Sequence, residues 1–166
     1  ARRRRPRSAD AFDRARARRD IGKGTLGICL AGVDQTNFLK QYKEYNLPFP
    51  VTGGTMDTIP FWGAGIDSIS GYWQSLWYHR LPVAGALAFT KRFTDKYGMP
   101  PDNQAWGDYT GVKIVLQSLA ETKGTDTGKI VEYLEKGASF DILKARRGSF
   151  RSWDHQLMQE AYPFTV

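Results

Sequence analysis

LGICLAGVDQTNFLKQYKEYNLPFPVTGG, residues 26–54, decides the fold of this chain, because strand, turn, amphipathic helix, second strand and glycine turn follow one another within it. Residues 26–30 form a short apolar run without polar alternation, the pattern of a parallel strand covered on both faces. Pro50, Val51 and Thr52 repeat that run more weakly. Between the two runs Phe38, Leu39, Tyr42 and Tyr45 recur at helical spacing, with Lys40, Lys43 and Glu44 filling the other face. The stretch is therefore a βαβ unit. Ligands of such units sit beyond the carboxyl ends of the strands, which here means residues 32–35 and 53–56.

Upstream of this unit the composition changes abruptly. Residues 1–25 hold nine arginines and Lys23 against Asp10, Asp13 and Asp20, which leaves +7, the whole net charge of the chain. Residues 26–166 hold 14 basic and 14 acidic side chains, so the globular part is neutral. A basic arm binds phosphate through counterion release, but nothing aromatic or patterned in ARRRRPRSADAFDRARARRD offers a reading surface, and a nucleic-acid partner is not expected. The head is read instead as disordered, as non-native sequence, or as coding sequence read out of frame. The boundary at residue 25 separates it from one α/β domain over 26–166, long enough to bury a core. No run of about 18 apolar residues marks a transmembrane helix, and no basic start leads into an apolar stretch of signal-peptide type. Starting at Ala1, the chain reads as a fragment or a processed product.

Downstream, residues 66–72 are predicted as a third strand leading into an aromatic loop. Pro82 suits the first turn of a helix carrying Ala86, Phe89, Phe93 and Tyr97 on one face before Gly98 stops it. Asp102 or Asn103 caps a long helix whose inner face is predicted as Ala105, Tyr109, Val112, Leu116 and Leu119. A shorter helix over 127–136, capped by Asp126, turns Ile130, Val131 and Leu134 inward. Short β runs come next, broken at Arg147-Gly148 and at Asp154-His155-Gln156. Strands alternating with helices give a mainly parallel sheet with helices on both faces.

Catalytic and metal chemistry find thin support. Cys29, the single cysteine, falls inside the first apolar run and is expected to fill core. The histidines, His79 and His155, stand in loop and turn sequence, neither following an obvious strand end beside a Ser or Cys, and two dispersed histidines with one cysteine give no metal-ligand spacing. Gly53-Gly54-Thr55 lacks both glycine-rich phosphate-binding patterns, and Asp34 serves equally well as a plain N-cap. No cofactor is called for. The aromatic cluster Phe61, Trp62, Tyr72, Trp73, Trp77 and Tyr78 offers flat apolar walls with polar tips, suited either to a small-molecule site or to packing.

Three stretches carry a family resemblance: Ala31-Gly32-Val33-Asp34-Gln35 through Phe38-Leu39-Lys40-Gln41, FTKRFTDKYGMPPDNQAWGDYTGV over 89–112, and FRSWDHQLMQ over 150–159. Together they resemble the substrate-binding proteins of branched-chain amino-acid-type ABC transporters, the leucine-binding-protein family, over about residues 26–166. The resemblance implies one lobe, the C-terminal one, of a type I periplasmic binding protein fold. It also implies a small-molecule ligand held by hinge closure against a missing N-terminal lobe, permease subunits as partners, no catalysis, and a periplasmic or extracellular membrane-associated location. Carried over by position, the ligand contacts are Asp34 and Gln35 after the first strand, Gly54, Thr55 and Met56 after the second, Tyr72, Trp73 and Gln74 after the third, and more weakly Trp106. Family members that bind amino acids place an acid after the second strand, where this chain has Gly54-Thr55, with Asp57 just beyond. The resemblance therefore leaves an amide, a urea-like compound or an aromatic acid as open as an amino acid. The alternative reading is a small nucleotide-dependent α/β enzyme, which needs Asp34, Thr55 and His155 to converge.

Overall fold

A computed structural model gives the fold, and the residues it describes are 24–47, 49–55, 65, 67 and 69–166. Residues 1–23 of the arginine-rich head, Met56, Asp57, Phe61 and Trp62 lie outside them. In chain order the elements are β1 (Leu26–Ile28), α1 (Gly32–Glu44), β2 (Val51–Thr55), β3 (Tyr72–Ser75), α2 (Ala84–Tyr97), α3 (Asn103–Thr122), α4 (Thr127–Glu135), β4 (Ser139–Phe140), β5 (Gly148–Phe150), β6 (Leu157–Met158) and β7 (Tyr162–Thr165). Where the sequence predicts one domain over 26–166, the chain divides into two compact units. One runs to Ser75 and takes back Pro163–Val166, and the other is Leu76–Tyr162.

The first unit is the βαβ stretch extended by two strands, in sheet order β1-β2-β3-β7. β1, β2 and β3 run parallel, with Leu26 opposite Val51 and Thr52 opposite Tyr72. At its edge, Gly71 and Val166 exchange both backbone hydrogen bonds, at 3.2 and 3.0 Å, the mark of an antiparallel pair. Leu39 and Tyr42 of α1 close over Ile28, Val51 and Trp73, and each fully buried aliphatic side chain among them stabilises the unit by about 1.5–3 kcal/mol. The Tyr42 hydroxyl donates to the Phe49 carbonyl and ties the helix end to the strand beyond it.

The strand predicted over 66–72 proves to be Tyr72–Ser75, because the alternation of Tyr72, Trp73 and Gln74 sends Trp73 alone into the core. β1 ends at Ile28, and only Ile28 of its three residues is buried. Cys29 is accordingly exposed and fills no core.

The second unit packs α2, α3 and α4 with the antiparallel sheet β4-β5-β6. Its core is aromatic: the Trp77 and Trp106 rings stack at 5.7 Å, and their indole N–H groups donate to the carbonyls of Pro101 at 3.1 Å and Ile142 at 2.9 Å. That anchor sets the rotation of α3. Trp106, Thr110, Ile114 and Ser118 turn inward, while Val112 and Leu116, predicted inside, are 59% and 60% exposed. Similarly, Tyr45 and Tyr97 lie on exposed helix ends, and none of the residues of α4 is fully buried.

Asp102 caps α3 as expected, its Oδ1 accepting from the Ala105 N–H at 2.8 Å. Asp102→Ala is expected to cost the protein about 1 kcal/mol. Urea unfolding should read this as a lowered midpoint at unchanged slope, whereas an unchanged midpoint would deny the cap any role.

Candidate functional site

The carboxyl ends of β1, β2 and β3 lie side by side because the three strands are parallel, and the described residues at those ends share one rim of the first unit. After β1 the chain enters α1 at once. Its N-cap is Ala31, which has no side chain to accept from the first turn, so Asp34 is a first-turn residue of α1 and not the N-cap that the sequence suggested. Helix N-termini left in this state hold several unsatisfied N–H groups and favour negative charge or carbonyl oxygen.

Gln35, the next residue, is 0% exposed, and neither its Oε1 nor its Nε2 has a hydrogen-bond partner among the described residues. An amide enclosed in that way costs about 1–3 kcal/mol, so its presence needs a reason beyond folding.

β2 and β3 come into register at Thr52 opposite Tyr72 and again at Thr55 opposite Gln74, which sets three steps on β2 against two on β3. The extra residue makes a bulge at Gly53-Gly54, next to the rim, where such features re-aim the chain. Gly53 is required there, since a Cβ would lie 2.8 Å from the Ile28 carbonyl oxygen and 3.1 Å from the Trp73 ring. Gly54 is different: it is exposed, and among the described residues nothing stands within 4 Å of its Cβ position.

Of the residues predicted for the site, the fold thus brings Asp34, Gln35, Gly54, Thr55 and Gln74 to one end of the sheet. Gln74 is exposed, and it carries Ser75 with it, a strand-end residue that sequence reasoning missed. Correct placement of β3 would have found it. Tyr72 stands at the opposite end of β3, paired with Thr52, whose hydroxyl donates to its carbonyl at 2.7 Å. Trp73 is 3% exposed, with its indole N–H donating to the Ser70 carbonyl at 2.9 Å, so the ring is core and not a ligand wall. Trp106 belongs to the interior of the second unit.

Lys144 approaches within 4.3 Å of the Trp106 ring centre and donates to Gln159 Oε1 at 2.8 Å and the Glu160 carbonyl at 2.6 Å. Burial pushes this ammonium down to about 8, against an upward pull from the Glu160 charge.

His155 belongs to the second unit and pairs with Glu135 at 2.8 Å, while Asp34 and Thr55 belong to the first. His79 is held below the ordinary histidine value by burial and then by Arg80. Among the described residues no group of His, Cys, Asp and Glu is arranged to hold a metal, and no helix is long and apolar enough to cross a membrane.

The family described as "Periplasmic binding protein" matches residues 6–166, starting well before Leu26 and taking in most of the arginine-rich head. No curated protein matches the chain in sequence. Among solved structures, the chain is similar to the amino acid ABC transporter substrate-binding protein of Pseudomonas fluorescens (21% identity, TM-score 0.71), covering 91% of this chain and 42% of that one. It is also similar to a solute-binding protein of an ABC transporter from Rhodopseudomonas palustris in complex with 3,4-dihydroxybenzoic acid (20%, 0.70), covering 93% and 44%. A periplasmic binding protein of Burkholderia mallei (21%, 0.74) is covered to 42% by 96% of this chain. The chain therefore spans less than half the length of these proteins and shares their fold over that span. The likeness bears out an α/β fold of type I periplasmic binding protein kind with a mainly parallel principal sheet.

Proposed function

Because this chain belongs to the periplasmic binding protein family, we propose that it is a solute-binding lobe of an ABC importer and performs no catalysis. The family match carries this reading. The lobe would hold one side of a small ligand at its strand ends, and a second lobe would close over the other side by hinge motion before delivery to permease subunits, in a periplasmic or extracellular membrane-associated setting. The uncapped start of α1 offers N–H donors, the exposed Gln74 amide offers a donor and a carbonyl acceptor, and Gly54 offers no carboxylate. That chemistry suits a carboxylate or amide better than the ammonium of an α-amino acid. A dihydroxybenzoate-bound relative is consistent with such a ligand class.

Titration calorimetry of the protein with benzoate, benzamide and leucine tests this reading. Benzoate or benzamide should bind at least ten-fold more tightly than leucine, and Gln74→Ala should weaken that binding about ten-fold. Gln35→Met should raise the melting temperature, since it replaces an unsatisfied amide by an apolar chain of similar size. Tighter binding of leucine, or affinity untouched by Gln74→Ala, would overturn the assignment.

A further inference from the structure

The second unit carries a cavity of about 300 Å³ between α2 and α3, walled by Phe89, Phe93, Tyr97 and Tyr109, with Arg92 and Lys96 at its side. Its rings form a continuous ladder. Phe89 and Tyr109 stack at 4.5 Å, Phe89 and Phe93 lie 5.8 Å apart, and Phe93 and Tyr97 lie 4.6 Å apart. Arg92 and Lys96 are one helical turn apart and exposed, and no acidic side chain lines the cavity among the described residues. The neighbouring Asp95 is engaged at 2.6 Å by Lys91. Lys96 already leans on the ladder, its ammonium 5.0 Å from the Tyr97 ring centre. A volume at the low end of the small-molecule range, aromatic walls and two cations on one side define a narrow ligand chemistry.

We infer that this cavity is a second ligand site, separate from the strand ends of the first unit, and that it takes a single-ring aromatic carboxylate. The ring stacks on Phe93 and Tyr109, and the carboxylate accepts from the Arg92 guanidinium, with the Lys96 ammonium beside it. Ala105 lines the cavity without contributing polarity, so enlarging it closes the space and leaves both cations in place.

Fluorine NMR with 4-fluorobenzoate as the probe and 4-fluorobenzamide as its neutral counterpart tests the site in the 166-residue chain, using the Gln74→Ala background to weaken the strand-end contribution. In that background 4-fluorobenzoate should still bind. Arg92→Gln with Lys96→Gln should weaken it at least ten-fold, and Ala105→Met, with both cations retained, should weaken it comparably. 4-Fluorobenzamide should bind weakly and equally to the background protein and the charge variant. Loss of 4-fluorobenzoate binding in the Gln74→Ala background, equal affinity with and without the two cations, or equal binding of acid and amide would each overturn the inference. Because the strand-end site is read through Gln74 and this one through Arg92 and Lys96, failure of either leaves the other standing.

Discussion

Gly71→Ala is expected to unfold the first unit. Gly71 has φ +103, outside the range that residues with a Cβ adopt, and a Cβ built there would stand 1.9 Å from the Val51 carbonyl oxygen. That oxygen belongs to the central strand β2, while the Gly71 backbone is held at the same time by both hydrogen bonds to Val166. Neither side can give way without parting strands. The left-handed backbone costs about 1–3 kcal/mol and overpacking a similar amount, so the total of about 4 kcal/mol is comparable to the whole stability of a small unit. Hydrogen exchange read by mass spectrometry should show β2, β3 and residues 163–166 losing protection together. Gly54→Ala is the control: exposed, and with no atom of the described residues near its Cβ position, it should stay within about 0.5 kcal/mol of the parent. A Gly71→Ala protein within about 1 kcal/mol of the parent would refute the close approach.

Stability of the second unit should rise with pH above neutrality, and Lys144→Met should abolish that rise. In the folded protein Lys144 sits at about 8, against 10.5 for the free side chain, because burial among Trp106, Tyr162, Gln159 and Glu160 disfavours its charge. Below pH 8 it is protonated whether folded or not, and stability is flat. Between 8 and 10.5 the unfolded chain retains a proton that the folded chain has released, so stability climbs, by up to about 3 kcal/mol. Tyr162 acts in the opposite direction. Burial, the Glu160 charge and a hydrogen bond to Glu160 raise it from 10 to about 12, so above pH 10 the folded chain holds the extra proton and stability falls. The parent should therefore be most stable near pH 10. Urea unfolding followed by tryptophan fluorescence from pH 7 to 12 reads the profile, and parallel profiles for the parent and Lys144→Met would sink the assignment.

Much of the architecture is legible in the chain itself. Gly98 ends α2 in the left-handed conformation, Asp102 and Asp126 accept from the first-turn N–H groups of α3 and α4, and the breaks at Arg147-Gly148 and around His155 fall where β5 begins and where β5 turns into β6. These features are local. A cap, a left-handed glycine or an apolar run is decided by atoms within a few residues, and so it survives reading one residue at a time.

The site was less legible. Asp34, Gln35, Gly54, Thr55 and Gln74 follow from knowing that parallel strands end together, but Tyr72 and Trp73 were assigned to the rim because the aromatic run looked like loop. Shifting a strand by a few residues exchanges core and rim side chains, and composition does not fix the shift.

By itself, then, the sequence determined the order of strands and helices, the N-caps of α3 and α4, the end of α2 and the family to which the chain is similar. Tertiary structure alone decided which side of each element is covered. Trp106 stacking on Trp77 overrides the apolar count of α3 and leaves Val112 and Leu116 outside, and Gly53 opens room for Trp73 against Ile28. It also showed that Gln35 is sealed without a partner among the described residues. The physical reason is the same in each case. Burial is a property of what lies opposite a side chain, and its partner stands many residues away in the sequence: Trp77 and Trp106, Val51 and Gly71, Lys144 and Glu160.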